Sequence, residues 1–247
     1  MIRLENISKI YGNQHALHEV SVAVVDGEFV FLIGPSGSGK TTLLRLLIKD
    51  ILPSAGDIFV GDWNLKAINN SEIHLLRRHV GTVFQDGKLV TDRTVFENIS
   101  LGLEILGKHG SALEKDVHDV MALVGLQDFD NKFPLQLSAG ELQRTAIARA
   151  IIGGPKILLA DEPTGNLDPE TGSEIMGILE EIQKLGTTVI VSTHNTTIVD
   201  DMKKRTITLS EGNLVSDELK GKYRYEKKHE KKRQDDKKKE IHGKKDT

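Results

Sequence analysis

Three short runs along the chain are apolar or mostly β-branched: Phe29-Val30-Phe31-Leu32-Ile33, Ile157-Leu158-Leu159-Ala160, and Thr187 to Thr193. Runs of this kind predict strands covered on both faces, as in a parallel sheet. Further strands are expected at Ile2–Ile7, at the alternating Val20, Val22 and Val24, at Ile58–Val60 and at Gly81–Phe84. Gly12-Asn13, Asp26-Gly27 and Pro53 to Asp57 supply the turns between them. Apolar residues at 43, 44, 46, 47, 48, 51 and 52 predict a mostly buried helix over Thr42 to Leu52. Asp168 followed by Pro169 is an N-cap and first-turn pair for a helix running to Leu185-Gly186. From about residue 90 to 152 the character changes. Thr94 with Glu97, Ser111 with Glu114 and Ser138 with Glu141 have the spacing of capping boxes, so this stretch predicts a helical insertion that ends at Gly153-Gly154-Pro155. No internal repeat is visible.

Between the first apolar run and its helix lies Gly34-Pro35-Ser36-Gly37-Ser38-Gly39-Lys40-Thr41. It fits the phosphate-binding loop G-x-x-x-x-G-K-[ST]. Glycines at 34, 37 and 39 let the backbone turn tightly, so that successive N–H groups can face phosphate oxygens. Lys40 places a positive charge against the β- and γ-phosphates, and Thr41 offers a hydroxyl to Mg²⁺. Strand, loop and helix in this order direct a helix N-terminus at the phosphates. Nucleotide binding is therefore expected here.

Charge and size narrow the partners. The 247 residues suffice for a full core, in one large α/β domain or two joined ones. The net charge of −3 hides an asymmetry: Lys220 to Thr247 carries thirteen Lys/Arg against six Asp/Glu, leaving −10 for the first 219 residues. A body so acidic argues against nucleic acid as a partner. The tail has almost no apolar residues and is expected to be a solvated, disordered segment or at most an exposed helix. Attraction to an anionic membrane surface, weakened by the interspersed acids, is the functional alternative. No cysteine is present, which removes disulfides and thiolate metal sites. No apolar run approaches a membrane span and Met1 to Glu5 shows no signal-peptide core, so a cytoplasmic chain is expected.

Two more motifs carry chemistry. Asp161 and Glu162 end the second apolar run. Asp161 is expected to bind Mg²⁺ through its water shell, and Glu162 to face the γ-phosphate as general base or water-orienting group. Leu137-Ser138-Ala139-Gly140-Glu141, followed by Gln143-Arg144, resembles the signature motif of ABC-type ATPases. Around it, Tyr11 resembles the residue that stacks on adenine, Gln85 the Q-loop glutamine, Asn166-Leu167-Asp168 the D-loop, and His194 the histidine that contacts the γ-phosphate. The resemblance spans about residues 1–215.

The resemblance implies an α/β fold of the P-loop NTPase (RecA-like) type. Its parallel core and antiparallel β subdomain would take residues 1–89 and 153–218, with a helical subdomain at about 90–152 and a charged tail at 219–247. It implies an ATPase using ATP and Mg²⁺. Tyr11, Gly34, Pro35, Ser36, Gly37, Ser38, Gly39, Lys40, Thr41, Thr42, Gln85, Ser138 and Gly140 would hold the nucleotide. Thr41, Gln85 and Asp161 would hold the metal, and Glu162, His194 and Lys40 would act in catalysis. Two subunits would pair head to tail, each ATP lying between the loop of one and the signature helix of the other. Within the family, Phe84 to Leu89 followed by Asp92 to Asn98 resembles the cell-division members. These imply an integral membrane partner and regulation of cell-wall hydrolases from the inner face of the membrane. The subunit of a lipoprotein-release or macrolide exporter is the alternative, and an ATP-dependent interaction module with little hydrolysis is a second. Ala139 replaces a signature glycine, which predicts a weaker ATP-bound dimer. Asn195 stands where an aspartate is usual.

Overall fold

The computed structural model of the chain describes residues 1–84 and 87–221. The elements run β1 (Ile2–Tyr11), β2 (Gln14–Val24), β3 (Phe29–Ile33), α1 (Lys40–Leu47), β4 (Ala55–Val60), β5 (Trp63–Asn64), α2 (Ile73–His79) and β6 (Val80–Val83). They continue with α3 (Val95–Ile105), α4 (Gly110–Leu123), α5 (Ala139–Ile151), β7 (Ile157–Asp161), α6 (Pro169–Lys184), β8 (Thr188–Thr193), α7 (Thr196–Met202), β9 (Arg205–Ser210) and β10 (Asn213–Glu218). One sheet has the order β2-β1-β4-β5 and is antiparallel. The other has the order β10-β9-β3-β8-β7-β6. In it β9, β3, β8, β7 and β6 run parallel, and β10 closes the edge antiparallel to β9.

Each uninterrupted apolar run serves two cores. Phe29, Phe31 and Ile33 pack with Leu158, Ala160, Val189 and Val191 under α3, α5 and α6. Val30 and Leu32 point the other way and pack with Leu159, Ile190, the leucines of α1 and the inner face of the antiparallel sheet. Successive strand residues face opposite sides, so a strand between two apolar layers has no polar face to show.

The helix ends depart from expectation in two places. α1 stops at Leu47 rather than Leu52, because Lys49 adopts φ 50. The turn is held by Asp50, whose N–H donates to the Arg45 carbonyl (3.0 Å) and whose carboxylate accepts from Arg45 Nε (2.6 Å). Ser111 is not a cap. Left-handed Gly107 and Gly110 bring the chain into α4 two residues earlier, with His109 at the N-cap and no side-chain bond. The boxes at Thr94 and Ser138 do form, and Asp168 caps α6 through Glu170 N and Thr171 N. The patterns gave no warning of α2, β5, α7, β9 or β10. The tail from residue 222 lies outside the described residues.

Arg205, at the start of β9, ties three strands together. Its guanidinium donates to both oxygens of Glu28 (2.9 and 3.1 Å) and both of Asp217 (2.7 and 2.8 Å). These two partners, Asp217 foremost, raise its pKa against the desolvation that lowers it. Only 12% of the Arg205 side chain is exposed, so Arg205→Ala strands two carboxylates. We expect a loss of about 3–5 kcal/mol in urea unfolding, the range for breaking a largely buried pair.

The cap on α5 gives a pH dependence. The backbone N–H of Ser138 donates to Glu141 Oε2 (2.6 Å) and holds the Glu141 carboxyl below its usual 4.5. A depressed folded pKa contributes stability above the unfolded value and loses it as pH falls through the folded one. Glu141→Gln keeps the box without titrating. The stability gap between parent and variant should therefore shrink as unfolding is followed from pH 5.5 downward.

Candidate functional site

Parallel strands end together, so the loops that follow them share one edge of the sheet. The loop after β3 runs into α1 through three glycines in the left-handed region: φ 147 at Gly34, 78 at Gly37 and 104 at Gly39. At Gly39 a Cβ would lie 2.5 Å from the Ala16 carbonyl oxygen and 2.8 Å from Leu17 Cδ2. Close approach and backbone conformation both require glycine there. The first N–H groups of α1 are left facing the loop, ready for an anion.

Lys40 opens α1 and is nearly buried. Its Nζ donates to the carbonyls of Gly34 (2.8 Å) and Pro35 (3.2 Å) and lies 3.9 Å from Glu162 Oε1. Burial pushes its pKa down, while Glu162 and Asp161 oppose that shift. The lysine is thus a desolvated cation held on two loop carbonyls, at the start of a helix whose first N–H groups lack intrahelical partners.

β7 ends at Asp161, and Glu162 follows with φ 49. The Glu162 N–H donates to the Ser192 carbonyl (3.0 Å) and to Ser192 Oγ (3.1 Å), and Ser192 Oγ in turn donates to Asp161 Oδ1. The Glu162 carboxylate reaches His194 Nδ1 at 2.9 Å. A carboxylate between a lysine and a histidine, at the lip of a phosphate loop, is placed to take a proton from a nucleophile or to align it.

Tyr11, Pro35 to Thr42, Glu162 and His194 line one open cleft of about 680 Å³. Thr41 also borders an adjoining cleft of about 890 Å³ whose wall includes Asp161. A hydroxyl and a carboxylate are hard oxygen donors, the set Mg²⁺ takes when phosphates supply the rest. Among the described residues no group of three or more His, Asp or Glu forms a self-sufficient metal site. Gln85 lies outside the described residues.

Ser138 and Gly140 lie elsewhere. With Asp168 and Thr171 they line a cavity of about 280 Å³ that shares no lining residue with the cleft over the loop. Gly140 is buried where a Cβ would meet Thr171 Cγ2 at 2.6 Å, so α5 and α6 approach closely at their N-termini. Ala139, the first residue of α5, is exposed. Asn195 has a local role: its Oδ1 accepts from Thr197 N (3.1 Å) and Ile198 N (3.3 Å) and caps α7. Asparagine keeps the acceptor that an aspartate has at this position. Sequence reasoning passed over Ser192. A serine inside a β-branched strand was the available signal.

The ABC transporter family matches residues 17–165. The chain is 46% identical over 225 residues to the cell division ATP-binding protein FtsE of Mycobacterium tuberculosis, covering 90% of this chain and 98% of that one. It is 46% identical over 224 residues to FtsE of Bacillus subtilis, with coverage of 90% and 98%. Among solved structures, the dimeric ATP-binding cassette MJ0796, in a post-hydrolysis state bound to ADP and Pi, is similar at a TM-score of 0.80 and 34% identity. That match covers 90% of this chain and 100% of the other. The fold is that of the P-loop NTPases, as expected. With a family match over more than half of its residues and relatives aligned almost end to end, the chain belongs to the ABC transporter family and is one of its ATP-hydrolysing members.

Proposed function

We propose that this chain is the ATPase subunit of a cell-division complex, paired with an FtsX-like integral membrane protein. It dimerises around ATP and drives its partner to regulate cell-wall hydrolases. The observation that carries the catalytic reading is Glu162, held 2.9 Å from His194 and 3.9 Å from Lys40 at the loop cleft. The FtsE relatives favour the cell-division role over the exporter.

In this reading the N–H groups of Gly37 to Thr41 and the Lys40 ammonium bind the β- and γ-phosphates. Tyr11, half-exposed on the rim, stacks on the adenine. Thr41 and Asp161, with Gln85, hold Mg²⁺, which neutralises phosphate charge when bound. Glu162 accepts a proton from the attacking water, and His194 fixes the carboxylate. We read 1–89 and 153–218 as the ATP-binding core and 90–152 as an inserted helical unit. The N-terminus of α5, with Ser138 and Gly140, faces the nucleotide of a second copy. Separation of its cavity from the loop cleft supports that arrangement. No helix of the described residues is long and apolar enough to cross a membrane. The partner therefore brings this chain to the inner face of the cell membrane.

Two substitutions test the reading. Glu162→Gln should cut ATP hydrolysis by roughly 10²–10⁴ in phosphate-release assays with the membrane partner, while ATP binding persists and light scattering shows a dimer. A variant that hydrolyses like the parent removes Glu162 from catalysis. Lys40→Ala should abolish ATP binding in calorimetry, because it removes the cation that opposes the phosphates. Unchanged affinity would sink the assignment of the loop.

A further inference from the structure

We propose that Ser192 is a positioning residue that sets the two adjacent carboxylates, Asp161 for the metal and Glu162 for the water. The inference rests on the ATPase reading of the cleft. Ser192 lies in β8, fully buried, in direct register with Asp161 of β7. The neighbouring positions of β8, Val189 to Val191, are aliphatic and pack into the cores on both faces. A hydroxyl in such a strand is costly unless its hydrogen bonds are made. Here they are made, and both go to the chemical site.

The hydroxyl donates its hydrogen to Asp161 Oδ1 and accepts the Glu162 N–H at 3.1 Å. Anchoring one oxygen of Asp161 fixes the plane of that carboxylate. Holding the Glu162 N–H, together with the Ser192 carbonyl at 3.0 Å, supports Glu162 at φ 49. That backbone conformation is strained for a residue with a Cβ, and persists only where its surroundings over-determine it. From it the Glu162 carboxylate reaches His194 and Lys40. One side chain thus aligns the metal-facing and the water-facing acid.

The test uses the full chain with Ser192→Ala and Ser192→Cys. Cysteine keeps nearly the shape of serine but is only a weak donor. Affinity for a non-hydrolysable ATP analogue is measured by calorimetry, with Mg²⁺ and again in EDTA. Both variants should bind like the parent in EDTA and about tenfold more weakly with Mg²⁺, the factor for losing a hydrogen bond to a charged group. In turnover, kcat should fall and the Mg²⁺ concentration for half-maximal rate should rise, with little change in melting temperature. Parent-like binding with Mg²⁺ in either variant overturns the proposal. A loss confined to alanine would make Ser192 a packing residue, and an equal loss in EDTA would make its role one of fold; either overturns it too. If the parent itself gains no affinity from Mg²⁺, the ATPase reading of the cleft fails first, and the role of Ser192 with it.

Discussion

The register of three parallel strands is the constraint on which the site depends. Ile33 pairs with Thr193, and Asp161 with Ser192, so β3, β8 and β7 end at one level. The residues beyond those ends are Gly34, His194 and Glu162, far apart in sequence and adjacent in space. A slip of one residue in any pair would turn its side chains to the opposite face. It would also carry Asp161 away from Ser192. Hydrogen bonding within the sheet is thus what brings Gly34, His194 and Glu162 together, and the loops inherit their positions from it.

That register is rigid because both faces of the sheet are packed. Phe31 and Leu32 are neighbours in sequence yet belong to different cores. At the far end of the sheet Arg205 joins the residue before β3 to β9 and β10. The ends that carry the chemistry are less covered, and there polar groups replace apolar packing: Lys40 on carbonyls, Glu162 on His194, Asp161 on Ser192. Placement by hydrogen bonds suits groups that must also meet a ligand, because the same donors and acceptors can be shared with it.

What could be read from the chain follows the range of each interaction. Local patterns were legible. The loop from Gly34 to Thr41, the caps at Thr94, Ser138 and Asp168 and the buried strands all depend on residues a few positions apart. Features decided by distant contacts were not. Apolar residues at 48, 51 and 52 continue the period of α1, yet the helix stops at Leu47, where Lys49 turns away and its Nζ donates to the Ile68 carbonyl. One local feature was also missed: Ser111 and Glu114 have the spacing of a cap, but the neighbouring left-handed Gly107 and Gly110 set the entry into α4. Tyr11, Lys40, Glu162 and His194 meet in one cleft, and order along the chain hinted at this only through a family resemblance. Ser192 was hidden because its partners become visible only when β7 and β8 are paired.

In the proposed dimer the N-terminus of α5 supplies the other half of each nucleotide site. Gly140 is fixed by its own fold, since Thr171 leaves no room for a Cβ. Its neighbour Ala139 has no such constraint and stands exposed at the first turn of α5, a position where alanine is at ease. The methyl therefore costs the isolated subunit nothing, and any effect must arise where another surface approaches the N–H groups of that turn. The two positions answer to different demands: Gly140 to the packing of α5 on α6, and Ala139, in the proposed dimer, to whatever approaches from the second copy.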